Sequence, residues 1–167
     1  MRTTTTLIVA ALALTVAACG KSPGERAAEA AIEASTGQKA KVDADSGSVT
    51  FKTDEGEMKV TSGEAAKLPA NFPKDVFLPA GYTVASAMEM PNAMVLEIHA
   101  PGKVDTMFAE ANKRMTDAGW KQRVAMQQDA NSQIAVYEKD KRSATLSLYD
   151  DAGKGVKLGV QVATQQQ

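Results

Sequence analysis

YTVASAMEMPNAMVLEIHAPGKVDTMFAEANKRMTDA, residues 82–118, is the stretch of sequence that decides the fold. Apolar and polar side chains alternate over Tyr82–Met90 and over Ala93–Ala100, which predicts two strands. Pro91-Asn92 between them predicts a tight turn. Apolar residues then recur at three- and four-residue intervals over Lys103–Ala118, which predicts an amphipathic helix.

Four more strand-like segments follow this helix. Alternation of this kind is typical of an antiparallel sheet with one face in water, and a single amphipathic helix is the natural cover for the other face. The sequence therefore predicts an α+β domain over residues 82–164, with an antiparallel sheet in ββαββββ order covered on one face by a helix. Residues 165–167 are predicted to form a disordered tail. The four segments are Trp120–Gln128, Gln133–Glu138, Ser143–Tyr149 and Val156–Ala163.

Three smaller units are predicted before this domain. Ser22 and Glu25 have the spacing of a capping box, so a short helix begins there and ends near Gly37. Residues 38–61 alternate in three short runs separated by turn residues, which predicts a small three-stranded meander. Residues 62–81 contain three prolines, which disfavour a helix and predict an extended connector.

The N-terminus has the pattern of an export signal. Arg2 provides a positive start, and Leu7–Ala18 is an apolar run of twelve residues. At about 1.5 Å per residue, a run of this length is too short to cross a hydrocarbon layer about 30 Å thick. Residues 1–18 are therefore predicted to be a signal peptide that is removed.

The run ends in Val16-Ala17-Ala18-Cys19, which resembles the bacterial lipobox of an aliphatic residue, two small residues and a cysteine. The resemblance implies cleavage between Ala18 and Cys19 and attachment of acyl chains to Cys19, which would hold the protein on a membrane. Residues 19–37 would then comprise the lipidated cysteine, a spacer and the short helix. By the sorting rule of enteric bacteria, Gly20 in place of aspartate implies the outer membrane, with the domain facing the periplasm.

Three further motifs lie in the part of the chain that follows. They are Leu-Pro-x-x-Phe-Pro-Lys-Asp-Val at Leu68–Val76, Pro-Ala-Gly at Pro79–Gly81, and a helix that closes on Ala-Gly-Trp at Ala118–Trp120. Residues 68–163 are similar in these features to small uncharacterised envelope lipoproteins of Gram-negative bacteria. The similarity implies a location in the envelope and carries no activity that can be transferred.

Charge and composition argue against several classes of function. The chain has 19 basic and 20 acidic residues, and loss of Arg2 with the signal peptide leaves 18 − 20 = −2. Nucleic-acid-binding proteins normally carry a basic stripe, so no nucleic-acid partner is predicted. A single cysteine cannot form an intramolecular disulfide.

Candidate catalytic groups are few. His99 is the one histidine of the chain, and the strand pattern places it beside Glu97 on the polar face of its strand. Such a pair can act as a general base, although a lone imidazole on a solvated strand is usually a surface residue. The sequence contains no Gly-x-Ser-x-Gly motif and no glycine-rich phosphate loop. Without a second histidine or an unmodified cysteine, a zinc site of the usual ligands is excluded.

Two sequence patterns suggest metal ions. Asp43-Ala44-Asp45-Ser46-Gly47-Ser48 with Asp54 resembles part of a calcium loop, but its glycine falls one position early, and turn chemistry explains the residues better. Met88, Met90 and Met94 lie close together in the sequence, and thioethers are ligands for Cu(I). Methionines also fill irregular cores, which is the commoner use of this residue.

The sequence taken as a whole predicts a membrane-anchored envelope lipoprotein that is a non-enzymatic binding or structural module without a cofactor. Its partners would be the membrane, through acyl chains on Cys19, and an envelope protein or polymer that meets a sheet face or edge. The alternative is a periplasmic carrier of a small ligand or of Cu(I), through the methionines or an apolar cavity. A small hydrolase-type enzyme is the third interpretation.

Overall fold

All nine strands of the described chain lie in one antiparallel sheet. The computed structural model describes residues 21–54, 56–129 and 131–165. Cys19, Ala18 and the predicted signal peptide lie outside these residues. The elements are α1 (Pro23–Thr36), β1 (Ala40–Asp43), β2 (Ser48–Thr53), β3 (Gly56–Ser62), a 3₁₀ turn (Gly63–Ala65), β4 (Thr83–Met90), β5 (Ala93–Ala100), α2 (Val104–Asp117), β6 (Lys121–Asp129), β7 (Ser132–Lys139), β8 (Arg142–Asp150) and β9 (Val156–Thr164).

The strands are arranged in the order β1-β2-β3-β4-β5-β9-β8-β7-β6. The chain builds the first five strands as successive antiparallel neighbours and then crosses through α2 to the far edge of the sheet. From β6 it returns strand by strand until β9 pairs with β5, from Ala93 opposite Ala163 to Ala100 opposite Val156. The connection through α2 therefore places β6 at the outer edge, and the strands that follow are added from this edge toward β5.

The predicted fold class is wrong. The sequence predicts an α+β pair of layers over residues 82–164, preceded by a short helix and a three-stranded meander, whereas the structure is dominated by a single sheet of nine strands. The meander belongs to that sheet because β3 pairs with β4, from Lys59 opposite Glu89 to Ser62 opposite Ser86. These pairs are backbone hydrogen bonds, which a pattern of apolar and polar side chains does not specify.

Residues 62–65 of the predicted connector belong to β3 and the 3₁₀ turn, so the connector in the structure is residues 66–82. One face of the sheet packs against α2 and against this connector. Alternate side chains of the central strands enter this core, together with Met107, Ala111 and Met115 of α2 and Phe72 and Phe77 of the connector. The fully buried residues of the sheet include Leu96, Ile98, Leu146, Leu148, Leu158 and Val160.

The connector is fastened to the sheet by Asp75. Its carboxylate accepts two hydrogen bonds from Arg142, at 2.9 and 2.7 Å, and one from Lys139 at 2.7 Å. The Arg142 guanidinium lies 4.9 Å from the centroid of the Trp120 ring, whose Nε1 donates to the Asp75 carbonyl at 2.8 Å. Lys139 also donates to the Ala118 carbonyl at 2.8 Å. Hydrogen bonds from Arg142 in the first place, and then from Lys139, hold the pKa of Asp75 well below its usual range.

Helix α1 lies along β1, at one edge of the sheet, and has no buried residue. Its start is the predicted capping box, in which the Glu25 amide donates to the Ser22 hydroxyl and the Ser22 amide donates to the Glu25 carboxylate. Glu25 also accepts from the Ala44 amide at 3.1 Å, and Glu29 accepts from the Val42 amide at 2.9 Å. Glu29 thus satisfies an amide of the edge strand that would otherwise be free to pair, and Glu25 satisfies an amide of the turn that follows it.

We expect Asp75→Asn to lower the free energy of unfolding by about 2 kcal/mol at pH 7, because two half-buried cations lose their anion. The folded-state pKa of Asp75 is lowered, so its contribution to stability is fully present above the unfolded-state pKa near 4. That contribution is lost as the pH falls below this value, so the difference between wild type and variant shrinks in acid. Urea titrations at several pH values measure the difference.

Asp117→Asn is the matched control for this experiment. Asp117 pairs with Lys113 on the surface of α2, and its side chain is 62% exposed. We expect the free energy of unfolding of the Asp117→Asn variant to differ from that of wild type by less than about 0.5 kcal/mol. Equal losses in the two variants would contradict the structural role of Asp75.

Candidate functional site

The side of the sheet opposite α2 and the connector is the candidate functional site, and we name it the bare face. Side chains alternate between the two faces of a strand, so each strand that sends one set of residues into the core sends the other set to this face. Paired residues then form continuous rows across the sheet. The row that crosses all nine strands is Val42, Val49, Val60, Met88, Val95, Gln161, Thr145, Val136 and Val124.

Seven of the nine residues in this row are valine or methionine. The row lies on the side that α2 and the connector leave uncovered, because both of these pack into the core on the opposite side. An apolar stripe that continues across a sheet in this way is unusual for a face in contact with water alone, where polar residues normally alternate with the core set.

The large apolar side chains of the bare face are most exposed at the corner formed by β6, β7 and β8. Val124, Met126 and Tyr149 are 40%, 50% and 40% exposed there, and they account for three of the four large hydrophobic side chains that are exposed in the described chain. Val124 lies opposite Val136, and Met126 lies opposite Ile134. We call these five residues the corner patch.

Two ion pairs lie on the bare face. Arg123 Nε donates to Glu138 Oε2 at 2.6 Å beside the corner patch, and Lys157 Nζ lies 3.2 Å from Glu97 Oε1 nearer the centre of the sheet. Each pair joins opposite charges, so these four residues add no net charge to the face. This arrangement of apolar groups with a polar rim is the usual anatomy of a protein contact surface.

The predicted pair of His99 and Glu97 is not formed. Both residues lie on the bare face, but Glu97 pairs with Lys157, and His99 Nδ1 lies 3.1 Å from Asp151 Oδ2 in the turn before β9. The His99 and Asp151 side chains are 37% and 35% exposed, beside a cavity of about 250 Å³ that Thr83 also lines. Thr83 is the cross-strand partner of His99, and in the described residues no hydrogen bond joins Thr83 to the ring.

The three methionines predicted as a Cu(I) site do not lie together. Met88 is paired with Val95 and Met90 with Ala93, which places both on the bare face. Met94 is paired with Val162, which points into the core, and it packs against the core from that side. The sheet therefore separates one thioether from the other two, and the methionines of this segment do not converge on a single ion.

The residues that resemble a calcium loop are also separated. Asp43 accepts a hydrogen bond from the Ser46 amide at 2.9 Å, as in an ordinary turn between β1 and β2. Asp54 lies beyond the far end of β2, at the opposite end of the sheet. Among the described residues there is no group of three or more histidine, aspartate or glutamate side chains that could hold a metal.

A second concave region lies between β3 and the connector, on the side away from the bare face. The cleft has a volume of about 600 Å³ and is lined by Lys59, Glu64, Lys67 and Glu89 among others. Charges of both signs surround it. A carrier of an apolar ligand needs an apolar cavity, so this cleft does not fit that alternative.

Sequence reasoning missed the contacts that join distant parts of the chain. Asp151 is 52 residues from His99, and Arg142 is 67 residues from Asp75. The motif Leu68–Val76 contains Asp75 and drew attention to the correct segment, but nothing in the motif indicated a cationic partner. The lipidation site Cys19 and the cleavage site at Ala18 lie outside the described residues, so both stay predictions.

We expect His99→Ala to change the free energy of unfolding by less than about 0.5 kcal/mol, because the contact between His99 and Asp151 is on the surface. Ile98→Ala, at the next position but on the core side of the same strand, should cost about 3 kcal/mol. Urea titration measures both values. A larger loss for His99→Ala than for Ile98→Ala would mean that the two faces of β5 have been exchanged.

No protein-family model matches this chain, and comparisons with curated proteins and with solved structures also found no match.

Proposed function

We propose that this chain is a lipid-anchored envelope lipoprotein whose sheet domain is a non-enzymatic binding module. The observation that carries the proposal is the bare face, a continuous surface with an apolar row and paired charges. Its partner is an envelope protein that presents an uncharged apolar surface. The domain acts by holding that protein near the membrane.

The anchor is supported by the sequence before α1. The lipobox-like Val16-Ala17-Ala18-Cys19 follows an apolar run, and α1 begins at Pro23. Three residues separate Cys19 from this helix, and fully extended they span about 10 Å. In the described residues no helix has the length and apolar character needed to cross a bilayer. Acyl chains on Cys19 contribute about 0.8 kcal/mol per buried CH₂, so two or three chains give stable attachment.

The chemistry of the bare face favours a protein over a charged polymer. Arg123 is already paired with Glu138 and Lys157 with Glu97, so these cations are not free to bind an anionic chain. Valine and methionine side chains in the row contribute favourable contact energy only when they are removed from water. A protein surface of similar apolar character meets this condition.

We expect Cys19→Ser to move the protein from the membrane fraction to the soluble fraction, because serine lacks the thiol to which the proposed acyl chains are attached. Fractionation of cells followed by immunoblotting measures the distribution. Ser22→Ala, three residues later, removes a helix cap without removing the thiol, and it should remain with membranes. A Cys19→Ser protein that still fractionates with membranes would refute the anchor.

The bare face is tested by a photo-crosslinking amino acid placed at Val95 or at Thr145 in intact cells. We expect both positions to give one and the same protein adduct, and Lys113 on the exposed side of α2 to give none. Ser147→Arg places a charge in the middle of the bare face without disturbing the core, and it should reduce the adduct at least tenfold. Adducts only with lipid or with a second copy, or an equal adduct from Lys113, would contradict the proposal.

A further inference from the structure

The two edges of the sheet differ in what lies beside them. At β1 the Glu29 carboxylate accepts a hydrogen bond from the Val42 amide of the edge, the Glu25 carboxylate accepts one from the Ala44 amide of the following turn, and α1 contacts the strand. At the other edge, Lys121–Gln127 and Asp129 are all exposed, and the described chain has no element beyond β6. An open edge of nine residues is a template for pairing with another strand.

The sequence of β6 is complementary to itself when it is read in the antiparallel direction. β6 reads KQRVAMQQD, with a lysine at the start, Val-Ala-Met in the middle and an aspartate at the end. If Ala125 of one copy lies opposite Ala125 of another, Lys121 lies opposite Asp129 and Val124 lies opposite Met126. Each of these pairs occurs twice, as a two-fold axis requires.

The same pairs meet on one face of the sheet. Lys121 lies opposite Glu138, Val124 opposite Val136, Met126 opposite Ile134 and Asp129 opposite Ser132. Residues 132, 134, 136 and 138 alternate with the core positions of β7, so all four β6 residues point to the bare face. The ion pairs and the apolar pairs would therefore form side by side rather than on opposite faces.

Two irregularities in β6 lie on either side of its centre, and they leave the centre free to pair with another strand. The register shifts between Gln122 and Val124 and again between Gln127 and Asp129. Bulges of this kind protect an edge by twisting it, but here they flank a regular segment, Val124–Gln127, that contains the apolar residues and the position of the two-fold axis. Arg123, at the first bulge, is turned to Glu138 and away from the edge.

We propose that two copies of this chain pair antiparallel through β6, about a two-fold axis at Ala125, to join their sheets. Lys121 of each copy pairs with Asp129 of the other, and Val124 packs on Met126. The corner patches of the two copies then form one apolar surface. This proposal rests on the edge alone and is independent of the partner assigned to the bare face.

The register is tested by cysteine crosslinking of the full chain in intact cells. On the axis, the two Ala125 Cα atoms of an antiparallel pair are about 5 Å apart, within reach of a disulfide. Two Gln127 residues are displaced by four positions, or about 13 Å along the strands, which is beyond that reach. Ala125→Cys should give a disulfide-linked dimer on a non-reducing gel, and Gln127→Cys should give no more than the parent chain, which has Cys19.

Charge reversal tests the same interface without a crosslink. Lys121→Glu alone places two pairs of acids at the interface, and Asp129→Lys alone places two pairs of lysines there. We expect each variant to associate with itself about tenfold more weakly than wild type, measured by co-purification of two differently tagged copies. A mixture of the two variants restores both ion pairs and should associate as wild type does.

Several results of these experiments would overturn the proposed pairing. Equal crosslinking at Ala125 and Gln127, absence of a dimer at Ala125, or a mixture that fails to restore association would overturn it. Single variants that associate as strongly as wild type would also overturn it. Thermal unfolding of each variant separates a loss of association from a loss of folding, and Lys113→Glu on α2 controls for added negative charge.

Discussion

The backbone pairing of β3 with β4 is the interaction on which the rest of this structure depends. It joins Lys59 to Glu89 and Ser62 to Ser86, and through it a small meander and a larger sheet become one sheet. Because the register of antiparallel strands fixes which side chains share a face, this pairing also aligns Val60 with Met88. A shift of one residue at this point would place the valines of β1–β3 on the face opposite to those of β5–β7. The continuity of the bare face is thus a consequence of four residue pairs.

An open sheet of nine strands has two edges and two faces. In this chain, different groups cover one edge and one face. Carboxylates of α1 satisfy amides of β1 and of the turn that follows it, and α2 with the connector covers one face. Asp75 adds a polar fastening where the connector meets β7 and β8. No comparable element of the described chain covers the bare face or the outer edge of β6. The surfaces left uncovered are contiguous at the corner patch, where the exposed valine, methionine and tyrosine residues are found.

Local features were predictable from the sequence, and long-range pairings were not. The alternation over Tyr82–Ala100 placed β4 and β5 within a residue of their observed bounds, and Ser22 and Glu25 form the expected capping box. These signals depend on neighbours within four residues. The pairing of β3 with β4, the partner of Asp75 and the partner of His99 depend on residues far apart in the chain. The separation of Met94 from Met88 and Met90 follows from strand alternation, which the sequence itself shows.

The composition of the bare face bears on whether its residues suit strand formation alone or also contact with another surface. Valine and threonine both favour strands, because a branched Cβ suits the pleated backbone. If this preference alone selected the residues of the central row, threonine would serve as well as valine and would interact better with water. The row contains six valines and one threonine. The extra apolar area has a cost in water of about 25 cal/mol per Å², and this cost is removed only when another surface covers it. The excess of valine over threonine on the bare face therefore supports the proposal that a partner covers it.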